Sequence, residues 1–172
     1  MKLAEFLNEI SKRGDQLQTT DVLTLLSKLN QSGNVWLKEM EQGDPEKATK
    51  HLISNTENFT CFFCSIPPRV KSEKIVSDYD SISLLVAEGK AYLEKEKGQL
   101  TSSFGKTSRT EMVVLKQGEL HSLRLNPGAF TMSNPFDEHT GILCIHLKDH
   151  ENLNKEVSHL VEAYDSINGI KV

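Results

Sequence analysis

The chain has 172 residues, room for one ordinary domain or for a small domain with a helical extension. Its 20 Lys and Arg against 24 Asp and Glu give a formal charge of −4 and a pI near 5.9, which argues against non-specific binding to nucleic acid or anionic membrane surfaces. Hydrophobic residues make up 37 % and charged residues 26 %, enough apolar material to bury a core. Three cysteines cannot close a disulfide framework, the N-terminus carries charges where a signal peptide needs an apolar run, and no stretch approaches the roughly 20 apolar residues that span a bilayer. A reduced, cytoplasmic protein without membrane insertion is expected.

Leu3, Phe6, Leu7 and Ile10 repeat at i, i+3, i+4, i+7 and predict an amphipathic helix over residues 3–12. Val22, Leu25, Leu26 and Leu29 predict a second, capped by Thr19, Thr20 or Asp21 and ended by the cluster at residues 30–34. Val35-Trp36-Leu37 fits either a strand or a helix, and Pro45 suits the first turn of a helix running to about Ile53. FTCFFCSI, residues 59–66, reads as a short buried strand closed by Pro67-Pro68. Tyr79, Ile82, Leu85, Val86, Gly89 and Leu93 align at helical spacing and predict a middle helix ending at Glu94-Lys95-Glu96-Lys97-Gly98. Gly89 inside that helix costs about 1 kcal/mol relative to Ala, with close packing as compensation.

Residues 101–110 read as a polar loop. Residues 111–115 and 120–125 then predict a β-hairpin turning at Gln117-Gly118, in a register that sets Lys116 against Glu119 and Glu111 against Arg124. A shorter strand follows near Phe130. ILCIHL, residues 142–147, reads as a central strand covered on both faces. Leu153, Val157, Leu160, Val161, Tyr164 and Ile167 predict a terminal helix between Asp149 and Gly169. The expected fold class is α+β, an antiparallel sheet packed with helices, with a helical region at residues 1–54 and an α+β domain at 55–172.

Candidate chemistry is sparse. Cys61, Cys64, Cys144 and His146 would form a Cys3His set, the ligand chemistry of structural zinc. In a strand, however, Cys61 and Cys64 point to opposite faces, so buried thiols in a core outweigh a metal site and no metal or cofactor is expected. The fragment Phe104-Gly105-Lys106-Thr107-Ser108 lacks the earlier glycine of a phosphate loop, where Leu100 stands, and a strand rather than a helix follows it. His150-Glu151 is followed by Asn154 where a zinc-protease helix needs His. Asp137-Glu138-His139 lies in a predicted loop and could supply acid–base groups or a metal ligand, although solvated loop charges are commoner. A thiol or metal enzyme would gather Cys61, Cys144, His146 and His139 in one pocket.

The segments ISLLVAEGKAYLEKEKG, EMVVLKQGELHSLRLNPG and GILCIHLKDHENLNKEVSHLVEAYDSI follow one another as helix, hairpin, and strand with terminal helix. In that order, over slightly more than half of the chain, they resemble the roadblock family of dynein light chains and bacterial or archaeal GTPase regulators. The resemblance implies a non-enzymatic scaffold, a homodimer or heterodimer, that docks or regulates a small GTPase. It implies a partner surface including Lys90, Tyr92 and Lys97 on the exposed side of the middle helix. Apolar residues on both faces of the hairpin agree with pairing, unless the N-terminal helices cover one face within the chain. Small acidic secretion chaperones, which also end in an apolar strand and a long amphipathic helix, are the alternative.

Overall fold

A computed structural model describes residues 1–40, 43–77, 81–102, 105–124 and 128–148. Helices α1 (Leu3–Lys12) and α2 (Thr19–Gln31) form where the apolar stripes predict them. Each start satisfies free backbone groups through an acidic side chain: Lys2 N donates to Glu5 Oε2 at 2.9 Å, and Gln18 N to Asp21 Oδ2 at 3.1 Å. Val35–Glu39 is a tight 3-10 turn that buries Trp36. Among the described residues no helix is long and apolar enough to cross a membrane.

Beyond the helical segment every described element is a strand: β1 (Thr49–Asn55), β2 (Phe59–Ile66), β3 (Val70–Lys71), β4 (Ile75–Ser77), β5 (Ser81–Glu88), β6 (Lys90–Ser102), β7 (Gly105–Lys116), β8 (Leu120–Arg124), β9 (Gly128–Asn134) and β10 (Thr140–Leu147). They pair antiparallel in two sheets. The first runs β1-β2-β10-β5-β8. The second runs β3-β9-β6-β7, with β4 also on β9.

Two apolar layers hold the sheets. Phe62, Cys64, Leu84, Leu93, Phe130 and Cys144 belong to a core contributed by both sheets. On the other face of the first sheet, Phe63, Leu85, Leu143 and Ile145 meet Phe6, Ile10, Leu26 and Trp36 from the helical segment. Trp36 stands edge-on to Phe63 at 5.9 Å between centroids. The middle strands of the first sheet are therefore buried on both faces, which is why β10 is buried along its whole length and β5 along its six central residues.

This arrangement corrects several expectations. The α+β fold class gives way to a mostly antiparallel β-sandwich with two short helices. The helix expected up to Ile53 is strand β1. The middle helix is two strands, and Gly89 is the turn between them. A run such as ISLLVA satisfies a helical stripe only because every residue in it except Ser83 is apolar, as a strand between two cores requires. In β6 the true period is two, with Ala91 and Leu93 buried and Tyr92 and Glu94 turned outward.

The predicted hairpin strands both form, but not with each other. Strand β7 pairs with β6, and β8 pairs with β5. Their turn carries the chain between sheets and is tied to β5 by Gly118 N donating to Val86 O at 2.8 Å and Val86 N to Glu119 O at 3.1 Å. Glu111 lies opposite Lys95 and Arg124 opposite Ser81, so the two are not the cross-strand partners expected. Apolar residues on both hairpin faces thus reflect membership of two sheets; the helices cover the outer face of one, while Met112 and Val114 remain exposed. Of the polar stretch expected as a loop, residues 101–102 belong to β6 and 105–110 to β7. The predicted terminal helix falls outside the described residues.

Candidate functional site

Three segments distant in sequence meet at one end of the first sheet. Ser65 lies on β2, paired with Thr49 of β1 and Gly141 of β10. Glu88 ends β5 and pairs with the same Gly141. His139 immediately precedes β10 and bridges them: its Nε2 is 2.7 Å from Ser65 Oγ and its Nδ1 2.7 Å from Glu88 Oε1. Ser65 is only 4 % exposed, whereas the His139 and Glu88 side chains are about two-fifths exposed (42 % and 43 %). All three line a pocket of about 450 Å³ with apolar walls from Leu37, Met40, Phe63 and Pro67 and a second carboxylate, Asp44.

The loop carrying His139 is fastened on both sides. Asn134, 1 % exposed, donates from Nδ2 to Ile66 O at 3.0 Å and Glu138 O at 2.7 Å, and accepts from Phe136 N at 3.1 Å. Thr140 Oγ1 donates to Lys90 O at 2.5 Å and accepts from Lys90 N at 3.2 Å. Gly89 makes this approach sterically feasible: its φ is +71°, and a Cβ there would lie 2.2 Å from His139 O. Gly43 does the same above Ser65, where a Cβ would fall 2.6 Å from the hydroxyl oxygen. Arg69 and Asp137 form an exposed ion pair at 2.6 Å on this loop, an interaction of small energetic weight.

A carboxylate can only accept hydrogen bonds, so Glu88 selects the imidazole form with its proton on Nδ1. The Nε2 lone pair is then left facing the Ser65 hydroxyl, which donates to it. Serine, histidine and carboxylate stand in the order that a nucleophile, a base and an orienting acid require.

The residues singled out in the sequence are placed differently. Cys64 and Cys144 share the core between the sheets, and Cys61 lies in the other core, so the strand separates the two thiols of CFFC. His146 packs on Phe62 at 4.6 Å between ring centroids. Burial lowers its pKa to about 3, with the nearby Lys50 ammonium adding to the effect. Burial also pushes the thiols of Cys61 and Cys144 well up. Cys61, Cys144, His146 and His139 therefore do not converge, and among the described residues no three His, Cys, Asp or Glu side chains are grouped to hold a metal ion. Lys90 and Tyr92 stand on strand β6, not a helix, beside Phe136, on which the Tyr92 ring stacks at 5.7 Å; Lys97 is on the same strand.

The sequence does not single out Ser65 or Glu88, whereas it offers His139 as a loop acid–base group or metal ligand, though with Cys61, Cys144 and His146 as companions. The available signal was Ser65 itself, a polar residue inside an otherwise apolar run before Pro67-Pro68. Such a residue needs a buried partner. Nothing in the sequence pointed to Glu88.

Comparison with known proteins returns no matching sequence family and no matching curated protein. Solved structures do match. A protein with a double-stranded β-helix domain from Klebsiella pneumoniae aligns over 66 % of this chain and 88 % of its own, with 12 % identity and a TM-score of 0.52. A cupin superfamily protein from Desulfitobacterium hafniense aligns over the same shares with 9 % identity and a TM-score of 0.50. The cupin domain of Schizosaccharomyces pombe Cnp3 aligns over 66 % of this chain and 70 % of its own, with 10 % identity and a TM-score of 0.50. At these identities the likeness shows the fold alone: a cupin-type double-stranded β-helix. It overturns the roadblock resemblance, and with it the GTPase-docking scaffold. The secretion-chaperone alternative falls with the same fold correction.

Proposed function

We propose that this chain binds a small molecule, neutral or cationic and with an apolar body, in the pocket floored by Ser65 and His139. The observation that carries the reading is the Ser65–His139–Glu88 hydrogen-bonded chain set among apolar walls, since ligand sites combine a mostly apolar concavity with a few convergent polar groups. Asp44 and Glu88 face the pocket, and among the described residues no lysine or arginine lines it, so its field disfavours anions. Proteins of this fold often bind metal or act as enzymes. The donors described in this barrel do not fit a metal centre: Cys64, Cys144 and His146 sit among packed apolar side chains.

Saturation-transfer NMR with benzyl alcohol, benzylamine and benzoate, near-isosteric probes differing in charge, tests the reading. Benzyl alcohol and benzylamine should receive saturation and shift the backbone amides of Gly43, Ser65 and His139, with benzoate far weaker. Asp44→Lys should weaken benzylamine and strengthen benzoate. Equal or stronger binding of benzoate to the unmodified protein, or shifts confined to residues outside the pocket, would contradict it.

A further inference from the structure

The geometry points to Ser65 as the nucleophile of an ester hydrolase, with His139 as its base and Glu88 as the residue that orients the base; this rests on the pocket reading above. Each link in the chain is 2.7 Å, inside the range for proton transfer between a nucleophile and its base. The three groups come from β2, the end of β5 and the segment before β10, so local sequence does not account for their alignment. The loop is held by Asn134 and Thr140, which keeps the imidazole between its two partners without help from substrate. Gly43 lies against the hydroxyl, where a side chain would fill the space over Oγ.

The chemistry balances with water as the only co-reactant. Ser65 Oγ attacks the ester carbonyl while its proton passes to His139 Nε2. The C–O bond to the alcohol then breaks, and His139 returns that proton to the departing alkoxide. Water attacks the acyl-serine, gives a proton to His139, and the acid leaves as Ser65 regains its hydrogen. Glu88 accepts from Nδ1–H throughout and stabilises the transient imidazolium. The acidic, apolar pocket selects uncharged or cationic esters of small apolar acids.

A fluorophosphonate probe reads the nucleophile directly, because Ser65 Oγ forms a bond to phosphorus as the P–F bond breaks and fluoride leaves. Intact-mass and peptide mapping should find the adduct on Ser65, with none in Ser65→Ala. His139→Gln should slow labelling and p-nitrophenyl butyrate turnover by roughly 100- to 10,000-fold. Glu88→Gln should slow both and alter the pH profile of labelling, a change that a merely structural link between strands would not produce. Gly43→Ala should block labelling while Ser65→Ala still binds benzyl alcohol, which separates loss of chemistry from loss of fold. An unlabelled protein that retains benzyl alcohol binding overturns the nucleophile and leaves the pocket reading standing, and labelling only at other serines overturns it equally. Labelling at Ser65 without any benzyl alcohol binding supports the nucleophile and defeats the ligand reading.

Discussion

Replacing Gly89 by alanine discriminates sharply between the observed fold and the helix expected from periodicity. In a helix interior the substitution would stabilise the protein by about 1 kcal/mol, because glycine has the greater backbone freedom to lose. In the structure Gly89 has φ +71°, a conformation that costs a non-glycine residue roughly 1–2 kcal/mol. Its Cβ would also lie 2.2 Å from His139 O and 2.9 Å from Thr140 Cα, both backbone atoms of a segment held by part-buried hydrogen bonds. Overpacking of this kind adds about 1–3 kcal/mol. The expected loss is thus roughly 2–5 kcal/mol. Gly118→Ala is the control, since φ there is +83° but the nearest atom to a Cβ is 3.8 Å away, leaving only the conformational cost. Urea unfolding of the two variants and the parent measures the difference. A Gly89→Ala protein as stable as Gly118→Ala, or more stable than the parent, would refute both the turn and its contact with the His139 segment.

The three buried cysteines should be inert to a thiol reagent in the folded protein and react together on unfolding in guanidinium; rapid native labelling of Cys61 or Cys144 would contradict their burial and raised pKa. His146 titrates near 3 when folded and near 6.5 when unfolded, so between those values the unfolded chain binds the extra proton and stability rises with pH. Its contribution is complete above about pH 6.5 and is lost progressively as pH falls towards 3, by about 1.4 kcal/mol per unit, and His146→Leu should flatten that slope in urea titrations from pH 7 to 4. An unchanged slope in that variant would place the imidazole in solvent.

The parts of the fold legible in the sequence were those whose pattern has one physical meaning. Leu3, Phe6 and Ile10, and Val22, Leu25, Leu26 and Leu29, bury one stripe of a helix because the opposite side faces water. FTCFFCSI and ILCIHL were recognisable as strands because they are short, apolar runs bounded by turn residues. ISLLVAEGKAYLEKEK was not, because β5 is buried on both faces and β6 begins after one glycine, so two strands together imitate a single helical stripe. Strand pairing was less legible still. The tight turn at Gln117-Gly118 is local, but whether its flanking strands join each other or separate into two sheets depends on partners elsewhere in the chain. The site shows the same limit: His139 was visible as a reactive residue type, while Ser65 and Glu88 acquire meaning only when Gly141 aligns their strands.

The hydrogen-bonded chain at the pocket carries the whole functional account, and the imidazole nitrogens of His139 report on it directly. Long-range ¹⁵N–¹H correlation spectra at neutral pH should show the proton on Nδ1 and an unprotonated Nε2, with Glu88→Gln mixing the two tautomers. A His139 ring protonated at Nε2, or averaging both forms in the parent protein, would contradict the Ser65–His139–Glu88 arrangement and the function drawn from it.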